Sequence, residues 1–82
     1  MSKPQIKEHW YLARILPPSH TYEVCELIIR TVEDDYFVGV DKRDKHAYLL
    51  SYSDVGKRVF KDRGECLDLV LQQEAADKEV GR

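Results

Sequence analysis

Turn-forming residues divide this chain into short apolar segments, and their spacing constrains the fold more than any other feature of the sequence. Pro17 and Pro18 end the first segment, because proline has no amide hydrogen for a sheet ladder and favours extended geometry in the residue before it. Residues 34–35, 42–45 and 53–56 supply the later turns. Short segments rich in β-branched and aromatic residues are typical of strands. The predicted strands are residues 8–16, 21–33, 36–40, 46–52 and 59–60.

The second segment, residues 21–33, is ambiguous. Its apolar residues Val24, Leu27, Ile28 and Val32 also fit helical spacing. We favour a strand because the segment is rich in β-branched residues, which lose side-chain freedom in a helix. A strand here would form a hairpin with residues 36–40, and a helix remains the alternative.

One helix is predicted at the end of the chain. Asp62 is a good N-cap, and Glu65 has the spacing of a capping box. The helix should run from there to about Ala76 and dock on the sheet, because an isolated helix of this length is marginal in water. The residues expected to form its apolar stripe are Cys66, Leu67, Val70 and Leu71. Residues 1–6 and 77–82 are expected to fray.

The length of 82 residues bounds the architecture. Hydrophobic residues make up 43% of the chain, which is ordinary for a folded domain and argues against a disordered chain. We therefore predict one domain spanning residues 1–82. Its fold class is α+β: a small antiparallel β-meander or partly open barrel with one C-terminal helix, with Trp10 as a core anchor. An enzyme pocket would consume much of so small a core, which favours binding over catalysis.

No catalytic, cofactor or metal site is predicted. Cys25 and Cys66 form no CxxC pair, and we interpret both as free thiols. His9, His20 and His46 lack metal-ligand spacing. The chain has no secretion signal and no apolar run long enough to cross a bilayer, so a cytoplasmic protein without membrane contact is expected.

Charge is unevenly distributed along the chain. Residues 21–35 carry a net charge of −4, and residues 41–63 carry +3. The acidic segment suggests a surface for a basic protein partner, since opposite charges speed encounter and fix register. Its candidate protein-binding residues are Glu23, Glu26, Glu33, Asp34 and Asp35. A solvated strand face and turn is the simpler interpretation.

The basic segment has aromatic residues interleaved with its cations, as a groove for single-stranded nucleic acid would. The candidate nucleic-acid-binding residues are Lys42, Arg43, Lys45, Lys57, Arg58, Lys61 and Arg63. In a meander, residues 42–45 and 53–57 fall at opposite ends of one strand, so the cations need not form one patch. The net charge of −2 also argues against a dedicated nucleic-acid domain, and solvated turns are the simpler interpretation of these cations.

The segment Asp54-Val55-Gly56-Lys57-Arg58-Val59-Phe60-Lys61-Asp62-Arg63-Gly64-Glu65-Cys66 resembles a pattern in short proteins of Gram-positive anaerobes and their mobile elements. The resemblance implies a β-rich small domain with a C-terminal helix, in a setting where small non-enzymatic modulators are frequent. It supplies no catalytic or binding residue.

Taken with the charge pattern, the resemblance leads us to expect a non-enzymatic binding module that contacts an unidentified protein. It could be a modulator or inhibitor encoded by a mobile element. The alternative is a nucleic-acid-binding accessory domain that uses the basic residues 42–63.

Overall fold

The computed structural model describes residues 3–80, which form five strands and one long helix. The elements are β1 (His9–Leu16), β2 (Thr21–Val32), β3 (Tyr36–Asp41), β4 (Ala47–Ser51), β5 (Val59–Phe60) and α1 (Arg63–Val80). Single turns of 3₁₀-helix follow β1 and β4. The ambiguous segment 21–33 is a strand, so that prediction is confirmed. No helix in residues 3–80 is both long and apolar enough to span a membrane.

The strands form one antiparallel sheet in the order β4-β3-β2-β1-β5. Strands β1 to β4 are a meander, and β5 then returns to the free side of β1, where Tyr11 pairs with Phe60. The chain reaches β5 through the 3₁₀ turn Tyr52–Asp54, which is capped by Ser51. The sheet curls into a half-barrel, and the predicted fold class is confirmed.

One apolar cluster fills the inside of the curl. Phe37 lies at its centre, with its ring 6.1 Å from that of Trp10 and 5.3 Å from that of Tyr52, centroid to centroid. Gly39 is required here, since a Cβ atom at this position would lie 2.9 Å from Leu27 Cδ1. The buried members of this inner cluster are Trp10, Leu12, Cys25, Leu27, Ile29, Phe37, Leu50 and Val59. Trp10 is therefore a core residue, as predicted.

The helix packs on the outside of the sheet, against β1, β2 and β5. Cys66 and Val70 are buried there with Ala13 and Phe60, in a second, outer cluster. Asp62 caps the helix as predicted, its Oδ2 accepting a hydrogen bond from the Glu65 amide at 3.0 Å.

Two details of the predicted helix are wrong. Leu71 is 52% exposed, because it follows Cys66 by five residues and so lies about 140° away around the helix. Leu69 packs against the outer cluster instead. The helix also continues past Ala76 to Val80, and Asp77 accepts hydrogen bonds from Gln73 and from the Tyr22 hydroxyl on β2.

The two chain ends that were expected to fray are only partly described. Residues 1–2 and 81–82 lie outside the described residues. Pro4 is buried near the start of the chain, and residues 77–80 are the last turn of the helix.

The contact between Tyr22 and Asp77 predicts a loss of stability in alkali. The Tyr22 hydroxyl donates to Asp77 Oδ2 at 2.5 Å, and this bond raises the pKa of Tyr22 to about 12. An unfolded tyrosine ionises near about pH 10, so the unfolded state releases its proton first. The contribution of this bond is therefore complete below about pH 10 and is lost as pH rises towards about 12.

Unfolding in urea at a series of alkaline pH values tests this expectation. Tyr22→Phe has no hydroxyl to ionise, so it should lose less stability than the wild type between about pH 10 and 12. Asp77→Asn should also lose less, because the carboxylate that raises the pKa of Tyr22 is gone. Identical pH profiles for wild type and Tyr22→Phe would show that the contact does not form.

Candidate binding surface

The helix covers only part of the outer face of the sheet. It packs against β1, β2 and β5 and makes no comparable contact with β3 or β4. Side chains alternate along a strand, and the register pairs Val38 with Leu49 and Val40 with Ala47 on this outside. We call the apolar residues left there the uncovered face: Ile6, Ile28, Val38, Val40, Ala47 and Leu49.

The uncovered face contains the most exposed large apolar side chains in the described part of the chain. Leu49 is 71% exposed and Ile6 is 59% exposed, while Ile28, Val38 and Val40 are half-buried. Ile28 pairs with Val40, so the residues adjoin one another across β2, β3 and β4. A contiguous apolar patch on a small domain marks an interaction surface more often than single exposed residues do.

Cations border this face. A groove of about 360 Å³ has Ile6, Ile28 and Val40 among its lining residues. Four basic residues line the same groove: Lys7, Arg30, Lys42 and Lys45. Lys42 Nζ lies 3.9 Å from Glu26, and the other three form no ion pair within residues 3–78. The one carboxylate residue of the lining, Asp41, is buried and accepts a hydrogen bond from the Arg43 amide.

The structure separates the predicted acidic cluster into two groups. Glu23 and Glu26 lie on β2 and are matched by cations of the same chain. Glu23 accepts hydrogen bonds from Arg43 at 3.0 Å and Arg14 at 3.3 Å, and the bond from Arg43 is the main cause that lowers the pKa of Glu23. His9 donates to Glu26 at 2.5 Å, which lowers the pKa of Glu26. Neither carboxylate is a free charge for a partner.

The remaining acidic residues form the turn between β2 and β3, which we call the acidic turn: Glu33, Asp34 and Asp35. All three are exposed, and they make no ion pair among the described side chains. The Tyr52 hydroxyl donates to the Glu33 carbonyl oxygen and holds the turn against the end of β4. This turn is the free part of the predicted protein-binding cluster.

The predicted nucleic-acid-binding residues do not form one patch. Lys42, Arg43 and Lys45 belong to the turn between β3 and β4, whereas Lys57, Arg58 and Lys61 flank β5. Arg63, the first residue of the helix, shares a cleft of about 320 Å³ with Lys42, Arg43 and Tyr11. Several are also matched by carboxylates: Lys61 lies 3.1 Å from Glu8, and Arg58 lies 3.9 Å from Asp54. Lys57 and Arg58 do share a cleft of about 330 Å³ with Arg14 and Tyr48.

The two thiols are buried, and burial is the main cause that raises the pKa of both Cys25 and Cys66 to about 11. Very little of either residue is therefore thiolate near neutral pH. Residues 3–78 bring together no group of three or more histidine, cysteine or carboxylate side chains that could hold a metal.

The uncovered face was not identified from the sequence, although a signal for it is present. Residues 46–52 are apolar on both faces, with Ala47 and Leu49 alternating against Tyr48 and Leu50. The single helix packs against three of the five strands, so part of the outer face of the sheet is left bare. Comparison with protein-family models, curated proteins and solved structures finds no match to this chain.

Proposed function

We propose that this protein is a cytoplasmic, non-enzymatic binding module that acts through contact with protein, and that the uncovered face is its contact surface. The exposure of Leu49 carries the proposal. Exposing this side chain at the centre of β4 leaves apolar area in water that a partner would bury. The surrounding cations give the face an apolar centre and a charged rim, which is the anatomy of protein interfaces.

A second candidate is the nucleic-acid-binding domain expected from the basic residues. The cleft that Arg14, Lys57 and Arg58 share with the Tyr48 ring supports it, because it combines cations with an aromatic group. The scattered, partly paired cations and the net charge of −2 support it less than a protein contact. The resemblance to short mobile-element proteins gives either module the setting of a small modulator or inhibitor.

Site-specific photocrosslinking in the native host tests the proposal. A photoreactive phenylalanine analogue is placed at Leu49, and in a matched variant at Leu71, which is also exposed but lies on the outer side of the helix. We expect a protein adduct of defined mass from position 49 and little from position 71.

Three outcomes oppose the proposal. The first is the absence of any adduct at position 49, and the second is equal labelling from both positions. The third is an adduct at position 49 that is removed by nuclease, which would favour the nucleic-acid domain instead.

A further inference from the structure

We propose that the partner for the uncovered face is a second copy of this chain, packed face to face about a two-fold axis. This inference rests on the proposed function, because it names the protein that the face contacts. Three observations carry it: the apolar centre, a basic end and an acidic end on one surface.

The basic and acidic ends lie at opposite ends of the same strand. The acidic turn, Glu33 to Asp35, leads into β3 at Tyr36, and β3 ends at Asp41, directly before the turn 42–45. This second turn carries Lys42, Arg43 and Lys45. Arg43 is held by Glu23 and Lys42 lies 3.9 Å from Glu26, so Lys45 is the cation of this turn that forms no ion pair with the described side chains. Its exposed carboxylate, Asp44, accepts a hydrogen bond from the His46 amide. Six residues of strand separate the two turns, a distance of about 20 Å. We call residues 42–45 the basic turn.

A two-fold interface must be complementary to itself, because each patch meets an identical patch turned by half a revolution. We place the axis between the two sheets, perpendicular to β3 and β4 and level with Val38 and Leu49. The strands of the two copies then run antiparallel. Leu49 then packs near Leu49 of the second copy, and each acidic turn faces a basic turn. Opposite charges at both ends fix this register. If the strands of the two copies ran parallel instead, like charges would face each other.

The other charges near the face do not oppose this arrangement. Lys7 and Arg30 line the same groove as Lys42 and Lys45 and have the same sign of charge as the basic turn. Glu26 is already matched by His9.

Complementary charge reversal tests the two-fold arrangement. An acidic variant carries Lys42→Glu and Lys45→Glu, so that both of its ends are negative. A basic variant carries Asp34→Lys and Asp35→Lys, so that both of its ends have net positive charge. All four side chains are exposed, and thermal unfolding checks that each variant is folded.

Association is measured by sedimentation over a concentration series at low salt. We expect the wild type to form dimers and each variant alone to dimerise at least about tenfold more weakly, since reversed surface charges each cost a fraction of a kcal/mol and here act at both ends. An equal mixture of the two variants should form the mixed dimer with an affinity close to that of the wild type. High salt should weaken the mixed dimer.

The inference fails if the wild type stays monomeric at every concentration, or if folded variants do not associate when mixed. It also fails if Leu49→Lys dimerises as well as Leu71→Lys. The photocrosslinking experiment at position 49 distinguishes failure of the dimer from failure of the proposed protein-binding function. An adduct of twice the chain mass agrees with a second copy, whereas an adduct with a different protein keeps the proposed function and overturns the dimer.

Discussion

Replacing Phe37 with alanine is expected to lower the free energy of unfolding by about 3–5 kcal/mol. The Phe37 ring is fully buried between Trp10 and Tyr52, and its β3 position pairs with Leu50. The inner cluster around it is built on the paired strands of one sheet and cannot collapse into the space, so a cavity remains. Urea unfolding followed by tryptophan fluorescence measures the effect, because Trp10 is the only tryptophan.

Phe37→Leu is the matched control for this substitution. Leucine keeps most of the apolar volume, so its cost should be clearly smaller than that of alanine. Equal costs for the two variants would show that the ring does not fill the inside of the half-barrel.

Replacing Val70 with aspartate is expected to cost about 3 kcal/mol or more, because it places a carboxylate without a partner under the helix. Val70 is only 2% exposed and packs with Ala13, Phe60 and Cys66. A domain of this size has a total free energy of unfolding of about 4–12 kcal/mol, so the variant would be close to unfolding. Circular dichroism during urea unfolding measures the change.

Leu71→Asp makes the same chemical change one residue further along the helix. Leu71 is exposed, so its replacement should alter stability by no more than about 0.5 kcal/mol. Similar losses from the two variants would contradict the docking of the helix through Cys66 and Val70.

The local features of the fold could be predicted because they depend on neighbouring residues. Pro17 and Pro18 end β1, Asp62 caps the helix, and Gly56 adopts a left-handed φ of 84° in the turn before β5. The place of β5 could not be predicted in this way. Its pairing with β1 joins residues that are far apart in the sequence, and a two-residue strand has too little pattern to indicate its neighbour.

The charged residues of the candidate site could be listed from the sequence, but their pairing could not. Glu23 and Asp34 look alike in a charge count, yet Glu23 meets Arg14 and Arg43 across the sheet whereas Asp34 lies free in a turn. Those contacts depend on strand register. The bare side of β3 and β4 depends in turn on which strands the helix covers, and that is a property of the assembled sheet.

Strand β1 contributes to both sides of the sheet at once. Trp10 and Leu12 enter the inner cluster, while Ala13 belongs to the outer one. Inserting or deleting one residue in this strand would exchange the two sets, because each side chain would change sides. The strand therefore tolerates changes of residue type far better than changes of length, and natural length variation in chains of this kind should be confined to the turns.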